Sequence, residues 1–320
     1  MFDEKDVILE AKHITRRFPA AGGKKLTACE DVNLKLYKGK TLGLVGESGC
    51  GKSTFMKFLV ALDKPDDGEI IYRGKDITKL KGEELRQLRQ NIQMVFQDPA
   101  ASFNPKMKVK DIICEPLLNF GKIRKKDKDA AARKYLEMVE LSPDMADRYP
   151  HNMSGGQRQR VAIARAIALE PEIIIFDEAT SQLDVSVQKT IIELITKLQM
   201  EKQITMGFIC HDIALVSSVA HYVAVMYLGK IVEILPSEGL EKTAKHPYTR
   251  ALINAVFDLN MDFSRKIESI ESEPPSPLEV HKGCNFCDRC DRAMEICRRE
   301  APVLKTVGDD QMVACHLYTK

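Results

Sequence analysis

An α/β fold built on a parallel sheet is predicted, and three stretches predict it. Thr41-Leu42-Gly43-Leu44-Val45 is a short apolar run of the kind that makes a buried strand. A glycine-rich turn from Gly46 to Thr54 follows it, and Ser53 to Leu62 then runs without Gly or Pro, as a helix does. Farther along, Glu172-Ile173-Ile174-Ile175-Phe176-Asp177-Glu178 is a continuous apolar run closed by two carboxylates, the pattern of a central strand buried on both faces.

The composition is compatible with that class. The chain has 320 residues, enough for one large domain or a domain with an appendage. Hydrophobic residues make up 44% and charged residues 29%, ordinary values for a soluble globular protein. A net charge of +2 implies no bulk attraction to nucleic acid or to an acidic membrane. The start, Met1 to Asp6, is acidic and polar, unlike a secretory leader. No apolar run approaches the ~20 residues needed to span a bilayer. The expected location is cytosolic, or peripheral to a membrane through a partner.

Taken in order, Val7 to His13 and Val32 to Tyr37 suit strands, the second alternating apolar and polar. A Gly/Lys-rich turn around Ala20 to Lys25 separates them. Phe18 closes the first strand region; an aromatic there can stack on a purine ring or simply pack. Gly46-Glu47-Ser48-Gly49-Cys50-Gly51-Lys52-Ser53-Thr54 matches the phosphate-loop pattern G-x-x-x-x-G-K-[ST]. Glycines let the backbone wrap a phosphate with its N–H groups turned inward, and the following helix adds its positive end. Lys52 is placed to reach β- and γ-phosphates, and the Ser53 hydroxyl to bind Mg²⁺. Chance would produce the pattern in about 1% of chains this long, before its flanking strand and helix are considered.

Glu69 to Arg73 suits a strand, Glu83 to Asn91 a polar helix, and Ile92 to Phe96 another strand running into Gln97-Asp98-Pro99. A Gln beyond the carboxyl end of a strand lies where open α/β sheets place ligand contacts, although it can equally face solvent. Residues 106 to 150 look like a helical insert, with apolar spacing at Ile112, Ile113, Leu117 and Leu118, then at Tyr135, Leu136, Val139 and Leu141. Lys122 to Lys128 is a solvated basic connection. Ser154-Gly155-Gly156-Gln157 precedes an Ala/Ile-rich helix and offers a second anion site at a helix start, or a plain cap. Asp177 fits a Mg²⁺ ligand, because acids at a buried strand tip are costly unless they face a cation. Glu178 is then placed to act on an attacking water. Ile204 to Cys210 is one more strand, ending at His211-Asp212, where the histidine can touch a terminal phosphate. His221 to Tyr227 and Lys230 to Ile234 suit a hairpin turned by Leu228-Gly229, and helices through Leu240 and from Tyr248 to Phe257 close the domain.

The joint order of these motifs resembles the ATP-binding cassette ATPases over residues 5–260. The resemblance implies a phosphate-loop cassette with a RecA-like α/β core, a helical subdomain at about residues 98–168 and an antiparallel β subdomain. It assigns Phe18 to adenine stacking, residues 46–54 to the Walker A loop and Gln97 to Mg²⁺ and water. Met153-Ser154-Gly155-Gly156-Gln157 stands for the signature that covers the ATP of a partner cassette. Asp177 and Glu178 close Walker B, Ser181 to Asp184 form the D-loop, and His211 is the switch histidine. Gln182 and Cys210 stand where Ala and Thr or Ser are usual, and neither removes a polar group with an assigned role. Active hydrolysis, with Glu178, His211, Gln97 and Lys52 catalytic, is expected.

Three stretches resemble the oligopeptide/dipeptide importer group more narrowly. They are Val95-Phe96-Gln97-Asp98-Pro99-Ala100-Ala101-Ser102-Phe103-Asn104-Pro105, His246-Pro247-Tyr248-Thr249-Arg250-Ala251-Leu252, and the cysteine tail. The resemblance implies a second ABC ATPase subunit in a heterodimer, two transmembrane permease subunits, an extracytoplasmic substrate-binding protein, and a site on the cytoplasmic face of the cell membrane. Import of nickel or another small solute is the neighbouring alternative. A soluble, non-transport cassette is the alternative of another class. A nucleotide-binding subunit without turnover is a third, against which Glu178 and His211 speak.

Of nine cysteines, five crowd the end: Cys284, Cys287, Cys290, Cys297 and Cys315. In a cytosolic protein such crowding suggests a metal before a disulfide framework. Ser272 to Glu279, rich in acids and prolines, looks like a linker into residues 261–320, the cysteine-rich extension. Group resemblance implies a 4Fe-4S cluster on Cys284, Cys290, Cys297 and Cys315, with Cys287 as a possible substitute because it makes a Cys-x2-Cys-x2-Cys run. Tetrathiolate Zn²⁺ is the alternative metal, and a metal-free tail the plainest reading.

Overall fold

In the computed structural model, which describes residues 3–255, 282–308 and 310–318, the chain divides into two compact units. One comprises Met1–Lys79 and Phe208–Lys320, the other Leu80–Gly207. The expected linker at 272–279 and the end of the last helix, 256–257, lie outside the described residues. No helix among the described residues is long and apolar enough to cross a membrane.

The first unit carries an antiparallel sheet in the order Lys25–Tyr37, Val7–Pro19, Asp67–Tyr72, Lys75–Asp76. Its first two strands are longer than the alternation predicts. His13 and Asp31 take positive φ (53° and 51°), and the pairing register shifts between Ala11 and Ile14. Such a bulge interrupts the two-residue period without ending the strand. Pairing resumes as far as Pro19 opposite Lys25.

A second set of strands in the same unit holds the glycine-rich turn. Thr41–Val45 is buried throughout and pairs in parallel with Tyr222–Tyr227, Val45 opposite Val225. Tyr222–Tyr227 pairs antiparallel with Lys230–Pro236 through Leu228 (φ 41°) and Gly229 (φ 81°), two positive angles that match the twist of a two-residue hairpin. Met312–Val313 then adds to Lys230–Pro236, with Val313 opposite Glu233, and Lys305–Thr306 adds to Met312–Val313. A Cβ on Gly43 would lie 2.0 Å from Val216, so glycine is what lets the helix Ile213–Val219 seat on its strand. The helix after the glycine-rich turn, Lys52–Leu59, stops short of Leu62. Ala61 turns left-handed (φ 51°), and the Leu62 N–H closes back on the Lys57 carbonyl.

In the second unit Ile92–Val95 pairs in parallel with Ile173–Asp177, all of whose residues are buried. The helical insert is present as Val109–Asn119 and Lys128–Met138, burying Ile112, Ile113, Leu117 and Leu136 as the apolar spacing predicts. Tyr135 Oη reaches across to the Ala168 carbonyl at 3.0 Å. Gly155–Ile167 and the long Val185–Lys202 complete this unit.

Candidate functional site

Residues 46–54 form a loop between a buried strand and a helix start, as the motif requires. Gly46 and Gly51 have φ of 153° and 109°. A Cβ at either position would collide with backbone, 2.1 Å from the Met226 carbonyl oxygen and 2.0 Å from that of Ala28. Glycine is obligatory at both for packing as well as for conformation. Gly51 N-caps the helix Lys52–Leu59 without a side-chain bond, so the positive end of that helix faces the loop. Lys52 is 4% exposed, and its ammonium donates to the carbonyls of Gly46 at 2.7 Å and Glu47 at 2.9 Å. Its charge is thus held within the loop. Ser53 and Thr54 are half-buried on the first turn, and Ser48 and Gly49 are exposed. Burial raises the Cys50 thiol, which packs at the loop's base.

Glu47 is the best-anchored member of the loop. Its N–H donates to Tyr248 Oη at 2.9 Å. Its carboxylate receives both terminal nitrogens of Arg289, each at 2.9 Å. Arg289 also donates to Tyr227 Oη at 3.2 Å, and the rings of Tyr227, Tyr248 and Phe286 meet in tilted and edge-on contacts with centroids 4.6 to 5.4 Å apart. Sequence reasoning gives Arg289 and Tyr227 no part in the site; it reads Tyr248 as the start of a closing helix, in a stretch singled out by resemblance. Behind Tyr248 sits Glu233, fully buried, which accepts the N–H groups of Lys245 and His246 and the Gln311 amide. Phe18, half-buried at the end of its strand, carries the Arg16 guanidinium 4.8 Å over its ring. His211 follows the strand Thr205–Ile209 and is exposed; the next residue, Asp212, caps Ile213–Val219 through the N–H groups of Ala214 and Leu215.

In the second unit the structure brings Gln97 and Glu178 together. Gln97 Nε2 donates to the Glu178 carboxylate at 2.9 Å and to Ser181 Oγ at 3.3 Å. Glu178 has φ 45°, a left-handed conformation that costs a non-glycine residue about 1 kcal/mol or more and turns the chain sharply off the strand. The Glu178 carbonyl accepts the N–H and hydroxyl of Ser181, which holds that turn. Asp177, the preceding residue, is 8% exposed at the strand tip. Asp184 precedes Val185–Lys202 and is exposed, with no capping bond from its own side chain.

Ser154 caps Gly155–Ile167 in a reciprocal box: its hydroxyl accepts the Gln157 N–H at 3.3 Å, and Gln157 Oε1 accepts the Ser154 N–H at 3.0 Å. The cap expected at this turn is therefore present. Gly156 has a packing reason of its own, because a Cβ there would lie 2.5 Å from Val187 Cγ1.

The cysteine expectation needs correction. Cys284, Cys287, Cys290, Cys297 and Cys315 do line one small pocket, beside His316. Yet no three His, Cys, Asp or Glu side chains among the described residues are arranged to hold a metal ion. A 4Fe-4S or zinc centre on Cys284, Cys290, Cys297 and Cys315, with or without Cys287, is not supported. Burial pushes the Cys284 thiol up to about 12 and raises those of Cys287, Cys290 and Cys315. Neutral thiols pack as small apolar groups. Backbone contacts order this segment instead, among them Cys284 N–H to the Cys297 carbonyl at 2.7 Å and Ala314 N–H to that of Val232 at 2.8 Å.

The chain is similar to known proteins over nearly its whole length. A family model described as ABC transporter matches residues 29–181, and one described as oligopeptide/dipeptide transporter, C-terminal region, matches residues 232–297. A probable peptide ABC transporter ATP-binding protein of Sinorhizobium fredii is 45% identical, with 98% of this chain and 90% of that protein covered. The oligopeptide transport ATP-binding protein AppF of Bacillus subtilis is 43% identical, with 98% of each covered. Among solved structures, an ATP-binding cassette in a dimeric post-hydrolysis state with ADP and phosphate is 30% identical with a TM-score of 0.66, covering 72% of this chain and 98% of that one. Nearly end-to-end identity of this order, together with both family models, means that the chain belongs to the ATP-binding subunits of ABC transporters, in their oligopeptide/dipeptide group.

Proposed function

We propose that this chain hydrolyses ATP to power the import of oligopeptides or dipeptides through a membrane permease. The observation that carries the chemistry is the Gln97–Glu178 contact at 2.9 Å on the turn that follows the buried Asp177. An amide that both orients a carboxylate and can hold a water suits in-line attack on a terminal phosphate. Glu178 is the base, Gln97 the orienting group and His211 a γ-phosphate contact. In the unit with the phosphate loop, N–H groups of residues 46–54 and the Lys52 ammonium bind phosphate oxygens, and Phe18 stacks on adenine.

Ser53, Gln97 and Asp177 are the residues assigned to Mg²⁺, which supplies neutralisation of phosphate charge when bound. A buried acid at a strand tip is consistent with that assignment. Lys52 must leave the carbonyls of Gly46 and Glu47 to meet the phosphates, so nucleotide replaces the loop's own internal contacts.

The cassette spans residues 5–260, with the helical subdomain at about 98–168 and the extension at 261–320. Ser154, Gly155, Gly156 and Gln157, together with Asp184, cover the ATP of a second ABC ATPase subunit in a heterodimer. Two transmembrane permease subunits hold the pair on the cytoplasmic face of the membrane, and an extracytoplasmic binding protein delivers the peptide. No role is assigned to a metal at the cysteines.

Reconstitution of the complex in liposomes tests this. ATP hydrolysis that rises with peptide-loaded binding protein, with peptide accumulating inside, is the expected result. Hydrolysis stimulated by a metal ion or another solute and indifferent to peptides would overturn the cargo assignment.

A further inference from the structure

Arg289 sits on the single turn Cys287–Arg289, in the middle of the cysteine run, yet its guanidinium reaches 242 residues back in the chain to Glu47. We propose that Arg289 is a positioning residue for nucleotide binding, gripping and neutralising Glu47 so that the phosphate loop keeps its shape and presents no bare carboxylate to ATP. The role rests on the assignment of residues 46–54 to ATP phosphates.

Three features argue for it. The grip is end-on and bidentate: one terminal nitrogen donates to each carboxylate oxygen at 2.9 Å, while Nε makes no hydrogen bond. This is the geometry in which arginine fixes orientation as well as charge. The pair is also shielded from water, since the Arg289 side chain is 5% exposed and that of Glu47 25%. Charge neutralisation counts for more there than at an open surface. Lastly, each part of Glu47 is held by a different element. Tyr248 takes its N–H, Lys52 its carbonyl and Arg289 its carboxylate. When nucleotide draws Lys52 away, Tyr248 and Arg289 remain to hold the residue.

The platform under Arg289 is built for the purpose. Tyr227 accepts its third hydrogen bond, and the rings of Tyr227 and Phe286 lie 5.8 and 6.0 Å from the guanidinium carbon. Asn285 Nδ2 donates to the Leu228 carbonyl, pinning the cysteine run to the hairpin turn. Charge explains why such a brace is useful. A glutamate within a loop that must receive a multiply charged anion repels its ligand unless a cation accompanies it.

The test is MgATP binding and steady-state hydrolysis by the full-length chain, using Arg289→Ala, Arg289→Lys, Glu47→Gln and the double variant Glu47→Gln/Arg289→Ala. Arg289→Ala is expected to raise Kd and KM for ATP about tenfold, with kcat at saturating ATP within about twofold. The same substitution in the Glu47→Gln background is expected to change Kd less than about twofold, because the carboxylate it serves is gone. Arg289→Lys, which keeps charge but loses the fork, should fall between, and it decides the matter if Arg289→Ala does not fold. Unchanged affinity in a folded Arg289 variant, or an equal loss in both backgrounds, overturns the role. Failure of the folded wild-type chain to bind MgATP overturns the phosphate-site reading, and this inference with it.

Discussion

Gln97 and Glu178, 81 residues apart in sequence, meet through a 2.9 Å hydrogen bond from amide to carboxylate. Glu178 is held at φ 45° by two bonds from Ser181 to its carbonyl, so its direction is set by the backbone and its rotation by Gln97. Glu178→Gln should therefore lower kcat by about 10²–10⁴-fold, the range for loss of a general base, while leaving ATP affinity within a few-fold. Gln97→Ala should cost on the order of tenfold in kcat through misorientation. Single-turnover hydrolysis beside equilibrium binding separates the two effects. Wild-type turnover in Glu178→Gln would remove Glu178 from its role.

Lys52 is the loop's buried cation. Its two bonds to the Gly46 and Glu47 carbonyls must be exchanged for bonds to phosphate. Charge-assisted bonds of this kind are worth about 1.5–3 kcal/mol, so Lys52→Ala should weaken ATP binding about 10–100-fold. Lys52→Arg should not restore it, because a planar fork cannot occupy the point between two carbonyls that an ammonium fills. Titration calorimetry with MgATP reads both outcomes.

Gly156 is where two helices of the second unit touch. A Cβ there would lie 2.5 Å from Val187 Cγ1, so Gly156→Ala forces the helices apart and should destabilise the protein by about 1–3 kcal/mol. Val187→Ala removes the colliding methyls and should recover most of that loss in the double variant. Urea unfolding of the four proteins checks the coupling; equal losses in both backgrounds would show that the contact is not the cause.

His246 gives the protein a pH dependence of known sign. The ring is 1% exposed, accepts the Tyr248 N–H at Nδ1, and burial lowers its pKa from 6.5 to about 3. Above pH 6.5 the residue is neutral folded or unfolded and contributes nothing to the slope. As pH falls through that value the unfolded chain takes up a proton that the folded one refuses. Stability present above pH 6.5 is then lost at about 1.4 kcal/mol per pH unit, levelling off near pH 3. His246→Asn keeps an acceptor at the helix cap and should flatten the dependence between pH 6 and pH 5 by that amount. An unchanged slope in unfolding free energy would exclude His246 as its source.

What the amino-acid sequence determined by itself is the set of local devices. Gly46 to Thr54, Ser154 to Gln157 and the apolar run into Asp177 were legible because each encodes its backbone in contiguous residues: glycines where φ is positive, a hydroxyl and an amide three apart at a helix start, branched apolar side chains in a buried strand. Tertiary structure alone decided which of these residues have partners. Nothing near Arg289 in the sequence marks it as the counter-charge of Glu47, nor Val187 as the reason for Gly156, because those contacts are made by packing between distant segments. Cysteine spacing likewise could suggest a metal but could not say whether the thiols are ionised. That depends on their desolvation, which exists only once the chain has folded around them.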